Sequence, residues 1–333
     1  MSSDPHGRMV GVEDEELPRK RGGGCATALL TLLTLALCGW AALSLASLDR
    51  DRYTVAVAAL TQYAVVAGAV LLLIALLLRR WLNVLVVALV VAALSYYVVP
   101  RALPDEVPPA AGAPLKVMSF NAYLGRADAE RIAAEVRRNR IDVLSVQELT
   151  PQLVSRLEAA GLFAELPHRV LHPGPAGEGT GIVSRYPLRE LGEMPETVLA
   201  QPSALVDLPG RDVELTAVHA FWPMGESGTG TWEQDLRALP GPSRTDRARV
   251  LAGDFNATLD LTRMREFIGR GYTDAAAATG QGLLPTWPSG WFPPPVTIDH
   301  VLTSGNIRPE HYRVLDVPGS DHRAVLVTLR VMP

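Results

Sequence analysis

The sequence predicts an α/β protein in two parts, an apolar helical region followed by a layered α/β domain. Three uncharged stretches lie within the first hundred residues, and each reaches the roughly 20 residues that a helix needs to cross a bilayer. From Leu115 onward, short apolar runs alternate with turns and amphipathic segments. Short buried strands with interspersed helices are typical of a layered α/β domain, here of about 220 residues.

The three apolar stretches are predicted to form transmembrane helices over residues 25–48, 53–78 and 81–99. One such stretch near an N-terminus could be a secretory signal, but three in succession do not fit that interpretation. Residues 1–24 are polar and glycine-rich, which predicts a disordered cytoplasmic tail.

Basic residues at the ends of the stretches predict how the helices are oriented, since cytoplasmic loops are enriched in Lys and Arg. Residues 19–21 and 79–80 are all basic, whereas Arg50 and Arg52 alternate with aspartates. With the N-terminus inside, the three spans place everything after residue 100 outside the cytoplasm. The predicted location is therefore the cell membrane, as a multi-pass protein with an extracytoplasmic α/β domain.

A proline-rich segment joins the two parts. Residues 100–114 contain five prolines, which predicts a stiff, extended tether that spans at most roughly 45 Å at about 3.1 Å per residue. Both cysteines, Cys25 and Cys38, fall in the first apolar stretch. The domain over 115–333 therefore cannot depend on disulfides or on a metal site built from cysteine.

Apolar periodicity predicts the elements of the α/β domain in order. Thr150 is expected to cap the second helix, with Pro151 in its first turn. The predicted strands cover residues 115–120, 141–146, 181–184, 204–208, 213–219, 249–252, 298–302 and 324–331, and the predicted helices cover 128–139, 151–160 and 261–269.

Polar residues follow several predicted strands at points far apart in the chain. Asn121 and the pair Gln147-Glu148 each follow an apolar run, and Gly253-Asp254-Phe255-Asn256 follows a third. The strand ends of a sheet can gather carboxylates and amides from distant sequence around one cation. The pattern therefore indicates metal-dependent phosphoester chemistry.

Each of these residues also has an ordinary interpretation when it is taken alone. Asn121 could form a turn, Glu148 could be a solvated loop residue, and Asp254 and Asn256 could form Asx turns. Asp321-His322 could cap a helix or form a surface pair. It is the occurrence of all of them together, in this order and at strand ends, that favours a functional site.

His219 and the pair Asp299-His300 differ in how readily a structural role explains them. His219, at the end of the strand predicted over 213–219, could be an interface residue. Asp299-His300 inside an apolar strand is harder to explain in this way, because a buried carboxylate needs a charged or hydrogen-bonding partner.

In these motifs and their order, residues 115–330 resemble the endonuclease/exonuclease/phosphatase superfamily. The resemblance implies a four-layered α/β sandwich, in which two packed mixed β-sheets are flanked by helices. The chain departs from the family at a phosphate contact, because Thr297 replaces the arginine that often precedes the Ile-Asp pair. The matching motifs are Ser119-Phe120-Asn121, Gln147-Glu148, residues 181–187, residues 216–219, Gly253-Asp254-Phe255-Asn256, Ile298-Asp299-His300 and Ser320-Asp321-His322.

The resemblance implies a metal site and a group that activates water. Glu148 would be the principal ligand of Mg²⁺ (or Mn²⁺), and Asn121 and Asp321 would complete that side, directly or through water. Asp254 would orient and deprotonate the attacking water, while Asn256 would hold the water and the phosphate. A divalent cation suits this chemistry because a phosphate ester repels nucleophiles by its own charge.

The resemblance further implies that two histidines contact the phosphate. His322, oriented by Asp299, would donate a hydrogen bond to a phosphoryl oxygen and stabilise the charge that develops there. His219 would serve the same oxygens or the leaving group. Water would attack in line, so no covalent enzyme intermediate is expected.

Charge and aromatic content narrow the expected substrate. Residues 101–333 contain 23 Lys and Arg against 28 Asp and Glu, a balance of −5, with Lys116 as their one lysine. A nuclease usually presents a basic surface, so this balance disfavours nucleic acid without excluding it. The aromatic segments at 221–223 and 285–293 could lie in a membrane interface or pack against the domain.

The layout of three spans, tether and outward domain resembles actinobacterial glycopeptide-resistance membrane proteins of the VanJ type, which are associated with teicoplanin resistance. This resemblance implies polyprenyl-linked cell-wall intermediates as substrates. The leading hypothesis is a membrane-anchored phosphoesterase that acts on a lipid-linked phosphate or pyrophosphate. Two alternatives are an exported nuclease or nucleotide phosphodiesterase, and a catalytically silent membrane-bound sensor.

Overall fold

The computed structural model describes residues 23–106, 111–192, 194–195, 197–225, 227–242 and 248–332. The tail that was predicted to be disordered therefore lies outside the described residues, apart from Gly23 and Gly24, which begin the first helix.

Four helices form the apolar region at the start of the chain: α1 (Gly23–Leu45), α2 (Arg52–Ala59), α3 (Thr61–Leu77) and α4 (Trp81–Val98). Helices α1 and α4 belong to segments that are long and apolar enough to cross a membrane, and α2 with α3 forms a third such segment only if the pair is counted as one span. A side chain at Gly68 would meet Val91 at 2.6 Å, so this glycine allows α3 and α4 to pack closely.

The predicted single helix over 53–78 is wrong in one respect, since α2 and α3 are bent by 60° at a break at Leu60. Asp51 starts α2 as a separate helix with a capping box, in which its side chain accepts from Thr54 N. Val55 and Ala58 are buried against the α/β domain in a cluster that includes Trp232. The prediction of a transmembrane helix rested on apolar composition, which could not distinguish burial in protein from burial in lipid.

The α/β domain contains two six-stranded sheets over the described residues. The strands are β1 (Ala113–Asn121), β2 (Val143–Gln147), β3 (His168–His172), β4 (Thr180–Ser184), β5 (Leu188–Leu191), β6 (Ser203–Val206), β7 (Val213–His219), β8 (Ala248–Asp254), β9 (Thr273–Asp274), β10 (Asp299–Ser304), β11 (Ile307–Asp316) and β12 (Arg323–Val331). Their orders are β11-β12-β1-β2-β4-β3 in the first sheet and β5-β6-β7-β8-β10-β9 in the second. Both sheets are mixed, because β1–β2 and β7–β8 are parallel and the other pairs are antiparallel.

Helices cover the outer faces of the two sheets. The inner faces meet in one core that contains Val117 from the first sheet and Val250 from the second. Outside the first sheet, Ile132 and Leu153 pack on it, and outside the second, Trp232 and Met264 do so. This is the expected sandwich of four layers. The helices are α5 (Ala129–Asn139), α6 (Pro151–Ala159), α7 (Leu162–Glu165), α8 (Gly228–Ala238), α9 (Thr262–Gly269) and α10 (Ala275–Ala278).

The predicted elements of this domain are all present, with shifts of a few residues at their ends. Thr150 caps α6 as predicted, accepting from Leu153 N at 3.2 Å. The missed elements include the edge strands β3, β5 and β11, which carry exposed polar residues, and α8, which begins with Gly228-Thr229-Gly230. Glycine and edge-strand polarity weaken the periodic signals on which such a prediction depends.

The proline-rich segment 100–114 differs from a free extended tether. Residues 99–102 form a 3₁₀ turn, and Arg101 makes an ion pair with the buried Asp260 at 2.9 Å. Asp105 N donates to Ala278 O, and β1 begins at Ala113; residues 107–110 lie outside the described part. The start of the segment is therefore fixed to the α/β domain by these polar contacts.

One end of the helical region carries the α/β domain. Asp49, after α1, accepts from Thr262 N at 2.8 Å and so supplies the acceptor that Leu261, the N-cap of α9, lacks. At the start of α3, the side chains of Gln62 and Tyr63 donate to Pro295 O at 3.2 and 2.7 Å. Together with the segment after α4, these contacts hold the two parts of the protein together.

Candidate active site

The strand register brings the predicted polar residues to one end of the sandwich. In β8, Val250 and Ala252 face the core between the sheets, so Asp254, two residues further on, faces the same space. His219 and Asp299 pair with Asp254 on the neighbouring strands β7 and β10. The second sheet thus contributes an imidazole and two carboxylates side by side.

The first sheet contributes Asn121 and Glu148 opposite this group. Asn121 ends β1 in register with Gln147, and Glu148 follows directly. The Nδ2 of Asn121 donates to Glu148 Oε1 and to Asp254 Oδ2, both at 3.0 Å, so this amide bridges the two sheets. The predicted convergence of distant strand ends is therefore observed.

A cavity of about 300 Å³ lies over these strand ends. Asn121 and Asp299 lie behind its wall and reach it through their hydrogen bonds to Asp254 and His322. The other six predicted site residues line the cavity directly: Glu148, His219, Asp254, Asn256, Asp321 and His322.

Asp299 and His322 form a buried acid–imidazole pair. His322 Nδ1 lies 2.9 Å from Asp299 Oδ2, and His322 Nε2 lies 3.8 Å from Asp254 Oδ2. Burial alone would lower the pKa of His322, but the charges of Asp299 and Asp254 outweigh it and raise the pKa to about 10. His322 is therefore a cation at neutral pH, as a group that stabilises phosphoryl charge should be.

Asp254 and Asn256 are hydrogen-bonded to each other where β8 ends. Asp254 Oδ1 accepts from Asn256 N at 2.8 Å, and Asn256 Nδ2 donates to Ala220 O at 3.0 Å. Asn256 has φ 48°, a left-handed conformation that costs energy for a residue with a side chain. Burial, followed by the charge of Asp299, raises the pKa of Asp254 to about 7, which suits a group that exchanges a proton near neutral pH.

His219 is the neutral histidine of the site. Burial, followed by the charge of His322, lowers its pKa to about 3. Its Nδ1 is buried and has no hydrogen-bond partner among the described residues. His219 can therefore offer an uncharged donor or acceptor to a ligand while His322 offers a charged donor.

Backbone conformation holds Glu148 in place. Glu148 has φ 55°, and its Oε2 accepts from Leu124 N, which lies in a second left-handed segment. Gly177 packs so close that a side chain there would meet Glu148 Oε2 at 2.8 Å. Conformations of this kind persist only where the surroundings enforce them, and they are common at functional sites.

The donor atoms of the site fit a hard divalent cation. The ligand atoms of Asp254, Asp299 and His322 lie within 4.8 Å of one another. Asp299 and His322 are bonded to each other, which leaves the carboxylates of Glu148 and Asp321 at the cavity as the better ligands. Asp321 Oδ1 is buried without a hydrogen-bond partner in the described part of the chain, and a bound cation would satisfy it.

Two features of the site were not assigned to it from the sequence. Trp287 Nε1 donates to Asp321 Oδ2 at 3.1 Å, and its ring lies 6.4 Å from that of His322. This tryptophan therefore packs in the site, the second of the two environments considered for the aromatic segments. Gln201 Oε1 accepts from His219 N at 3.3 Å, a contact that no local pattern predicts.

Thr297 stands where the family often has an arginine that contacts phosphate. Its hydroxyl donates to Leu284 O at 2.7 Å and fixes a loop.

His300, by contrast, lies outside the site. It is buried on the other face of β10, where Nδ1 lies 2.9 Å from Asp274 Oδ2 and Nε2 lies 2.9 Å from Ala257 O. Burial alone would lower its pKa, but the hydrogen bond and charge of Asp274 raise it overall. Both ring nitrogens have acceptors, so His300 acts as a structural cation.

A family comparison agrees with this geometry. The model of the endonuclease/exonuclease/phosphatase family matches residues 118–322. The chain belongs to this family. Its members are phosphoester hydrolases and typically use divalent metal ions.

Solved structures of low sequence identity share the fold. An endonuclease/exonuclease/phosphatase from Beutenbergia cavernae is 20% identical with a TM-score of 0.51, covering 66% of this chain and 72% of that one. An AP endonuclease from Archaeoglobus fulgidus is 15% identical with a TM-score of 0.51, covering 64% and 98%. No curated protein matches the chain in sequence.

Proposed function

We propose that the protein is a membrane-anchored, metal-dependent phosphoesterase that hydrolyses a lipid-linked phosphate or pyrophosphate. The family supplies the reaction class, and the site supplies carboxylates for a cation and two histidines for a phosphate. In this chain, that site is connected to the apolar helices.

The observation that carries the proposal is the segment 287–296. At one end, Trp287 lines the active-site cavity and donates to Asp321. At the other end, Pro295 O accepts from Gln62 and Tyr63 at the start of α3. The mouth of the site thus lies beside one end of the helical region, where the headgroup of a membrane lipid would be found.

Exposed aromatic residues on the same segment fit a membrane interface. Trp291 and Phe292 are 94% and 87% exposed, an unusual degree for large apolar side chains. Aromatic residues are enriched where a protein meets lipid headgroups. The acidic balance of residues 101–333 also fits a single phosphate headgroup better than a polyanionic nucleic acid.

The residues divide the chemistry between them. A divalent cation, Mg²⁺ or Mn²⁺, held by Glu148 and Asp321 with Asn121, directly or through water, would neutralise the phosphate. Asp254 would accept a proton from the attacking water, with Asn256 positioning that water. Two imidazoles would face the phosphoryl oxygens, His322 charged by its contact with Asp299 and His219 neutral.

We also propose that the α/β domain lies on the outer face of the membrane. Arg and Lys at residues 19–21 and 79–80 favour the cytoplasm for the end of the helices that is remote from the α/β domain. Protease added to intact cells should then cleave the α/β domain. Protection of the domain in intact cells, with cleavage after lysis, would assign it to the cytoplasm.

The activity is tested with the purified full chain in detergent. We expect Mg²⁺-dependent phosphate release from a polyprenyl pyrophosphate, with loss of release in Glu148→Ala. Plasmid DNA and a nucleotide diester serve as parallel substrates. Nicking of the plasmid without phosphate release from the lipid would replace the proposal with an exported nuclease, and inactivity of wild type on every substrate would favour a silent sensor.

A polyprenyl-linked cell-wall intermediate is the specific substrate proposed, and it links the enzyme to glycopeptide resistance. Expression of the wild type, but not of Glu148→Ala, in a susceptible host should then raise the teicoplanin concentration needed to inhibit growth. Equal susceptibility of the two strains, at equal protein levels, would remove the link to resistance.

A further inference from the structure

A second cavity adjoins the active site on the side of the helical region. Its volume is about 310 Å³, and it shares Trp222, Asn256 and Trp287 with the active-site cavity. The remaining walls come from both parts of the protein, including Ala56, Ala59 and Leu60 from the helical region and Thr258, Pro293 and Val296 from the domain.

The walls of this cavity offer almost nothing to a polar ligand. Among its lining residues, Asn256 carries an amide and Thr258 carries a hydroxyl. Asn256 Nδ2 already donates to Ala220 O, and the Thr258 hydroxyl already contacts Asp260. A nucleobase or a sugar needs placed donors and acceptors, so these walls do not suit one.

The cavity is open to solvent rather than sealed, and its volume of about 310 Å³ leaves room for part of a hydrocarbon chain. Its apolar walls give water few hydrogen-bond partners, and displacing poorly held water by an apolar group gains affinity. An apolar ligand would therefore enter it without having to displace well-bound water.

We infer that this cavity, which we call the chain cavity, binds the first carbons of the hydrocarbon chain of the substrate. The inference rests on the proposed function and adds a specificity-determining element to it. A phosphate held near His322 would have its ester oxygen within the shared wall of Trp222, Asn256 and Trp287. The chain would then pass along α2 to Leu60, where the bend leads into the apolar helix α3.

The inference also assigns a role to α2. The bend at Leu60 turns α2 onto the domain, where Val55 and Ala58 anchor it in the cluster around Trp232. Small residues at 56 and 59 leave the space that forms the chain cavity. Helix α2 therefore selects substrates by their hydrocarbon chain, while the polar side chains that line the active-site cavity act on the phosphate.

The test compares a long-chain and a short-chain ester of the same phosphate headgroup. The measured quantity is the ratio of kcat/KM for the long ester to kcat/KM for the short one. Filling the chain cavity with Ala59→Phe should lower this ratio at least tenfold, and the smaller Ala59→Leu should lower it less. Ala69→Phe makes the matched control, since Ala69 is exposed on α3, and its ratio should equal that of wild type.

A second measurement does not depend on turnover. An alkyl phosphonate with a diazirine near the headgroup is photolysed with the full chain in the presence of Mg²⁺, and the labelled peptides are mapped. Label should fall on residues 55–60 or 293–298, and Ala59→Phe should remove it. Because Ala59→Leu is the milder change, it keeps the test valid if Ala59→Phe reduces folding.

Each outcome decides the matter. A wild type that prefers the long ester, with an unchanged ratio in both Ala59 variants and label elsewhere, would overturn the chain cavity and leave the proposed function in place. A wild type that hydrolyses neither ester would overturn the proposed function and the inference with it.

Discussion

Two buried acid–imidazole pairs meet at neighbouring positions of β10, and they differ in one contact. Asp299 holds His322 and Asp274 holds His300, each with Nδ1 2.9 Å from a carboxylate oxygen. In the second pair, Nε2 also has an acceptor, the carbonyl of Ala257 at 2.9 Å. In the first, Nε2 lies 3.8 Å from Asp254 and faces the cavity.

The difference follows from strand alternation. Successive residues of a strand point to opposite faces, so Asp299 faces the space between the sheets and His300 faces the outer helices. The same carboxylate–imidazole contact thus faces the active-site cavity on one side of β10 and the core on the other. The two pairs differ in whether the second ring nitrogen is available to a ligand.

The largest effect is expected from removing the imidazole that faces the cavity. His322→Ala should lower kcat/KM by about 10³-fold, the usual cost of losing a donor that stabilises transition-state charge. Thermal stability should fall less than in the His300 variant described next, since water in the cavity can reach the Asp299 carboxylate that His322 leaves unpaired. Steady-state kinetics and calorimetry on the same preparation check both. Near-normal turnover in this variant would show that the Asp299–His322 pair is structural as well.

Removing the other imidazole should have the opposite outcome. His300→Ala leaves the Asp274 carboxylate buried and unpaired, which costs about 3 kcal/mol or more of unfolding free energy. Activity per folded molecule should remain near wild type. The measurement is the denaturation midpoint, combined with kcat normalised to the folded fraction. A stable but inactive His300→Ala would contradict the assignment of this pair to the core.

The sequence allowed the site to be predicted because its signals are local. Asn121, Glu148 and Asp254 each come at the end of an apolar strand, and the alternation within β1 and β8 directs Asn121 and Asp254 inward. The order of the motifs then indicated the family, and with it the sandwich of four layers. The eight predicted residues meet at one site for this reason.

Contacts between distant segments could not be predicted in this way. Gln201 meets His219 across two strands, and Asp49 caps α9 from 213 residues away. No pattern around either residue records its partner. The packing of α2 on the domain could not be predicted for a related reason. An apolar helix that packs on protein and one that packs in lipid have the same composition.

A smaller effect is expected when the charge of one carboxylate is removed and its shape is kept. Asp299→Asn should lower kcat by roughly tenfold and lower the pKa of His322, because Asp299 is the largest favourable influence on that charge. Asp274→Asn should lower the pKa of His300 and leave kcat unchanged. NMR titration of the two imidazoles, with kinetics, separates these outcomes. If Asp274→Asn slowed turnover as much as Asp299→Asn, the two faces of β10 would not be independent.

The smallest effect concerns the pH dependence of stability. The pKa of His300 is raised in the folded protein, so its protonated form stabilises the fold fully below the unfolded value of about 6.5. That contribution is lost as the pH rises through the folded pKa. His300→Gln cannot be protonated, so its deficit in Tm relative to wild type should be largest below pH 6.5 and should shrink at alkaline pH.

The charged groups that act on His300 set the sign of this effect. Asp274 contacts Nδ1 directly and Asp299 adds a weaker favourable charge, while the ring of Phe255 packs edge-on at 5.6 Å and contributes no charge. Both carboxylates favour the imidazolium, so a deficit that grew with pH would mean that the histidine is neutral in the fold. The Ala257 carbonyl would then face a ring nitrogen without a proton. In that case Nε2 would make no hydrogen bond in His300, as it makes none in His322 among the described residues. The two pairs would then differ only in that His322 faces the cavity and His300 is buried in the core.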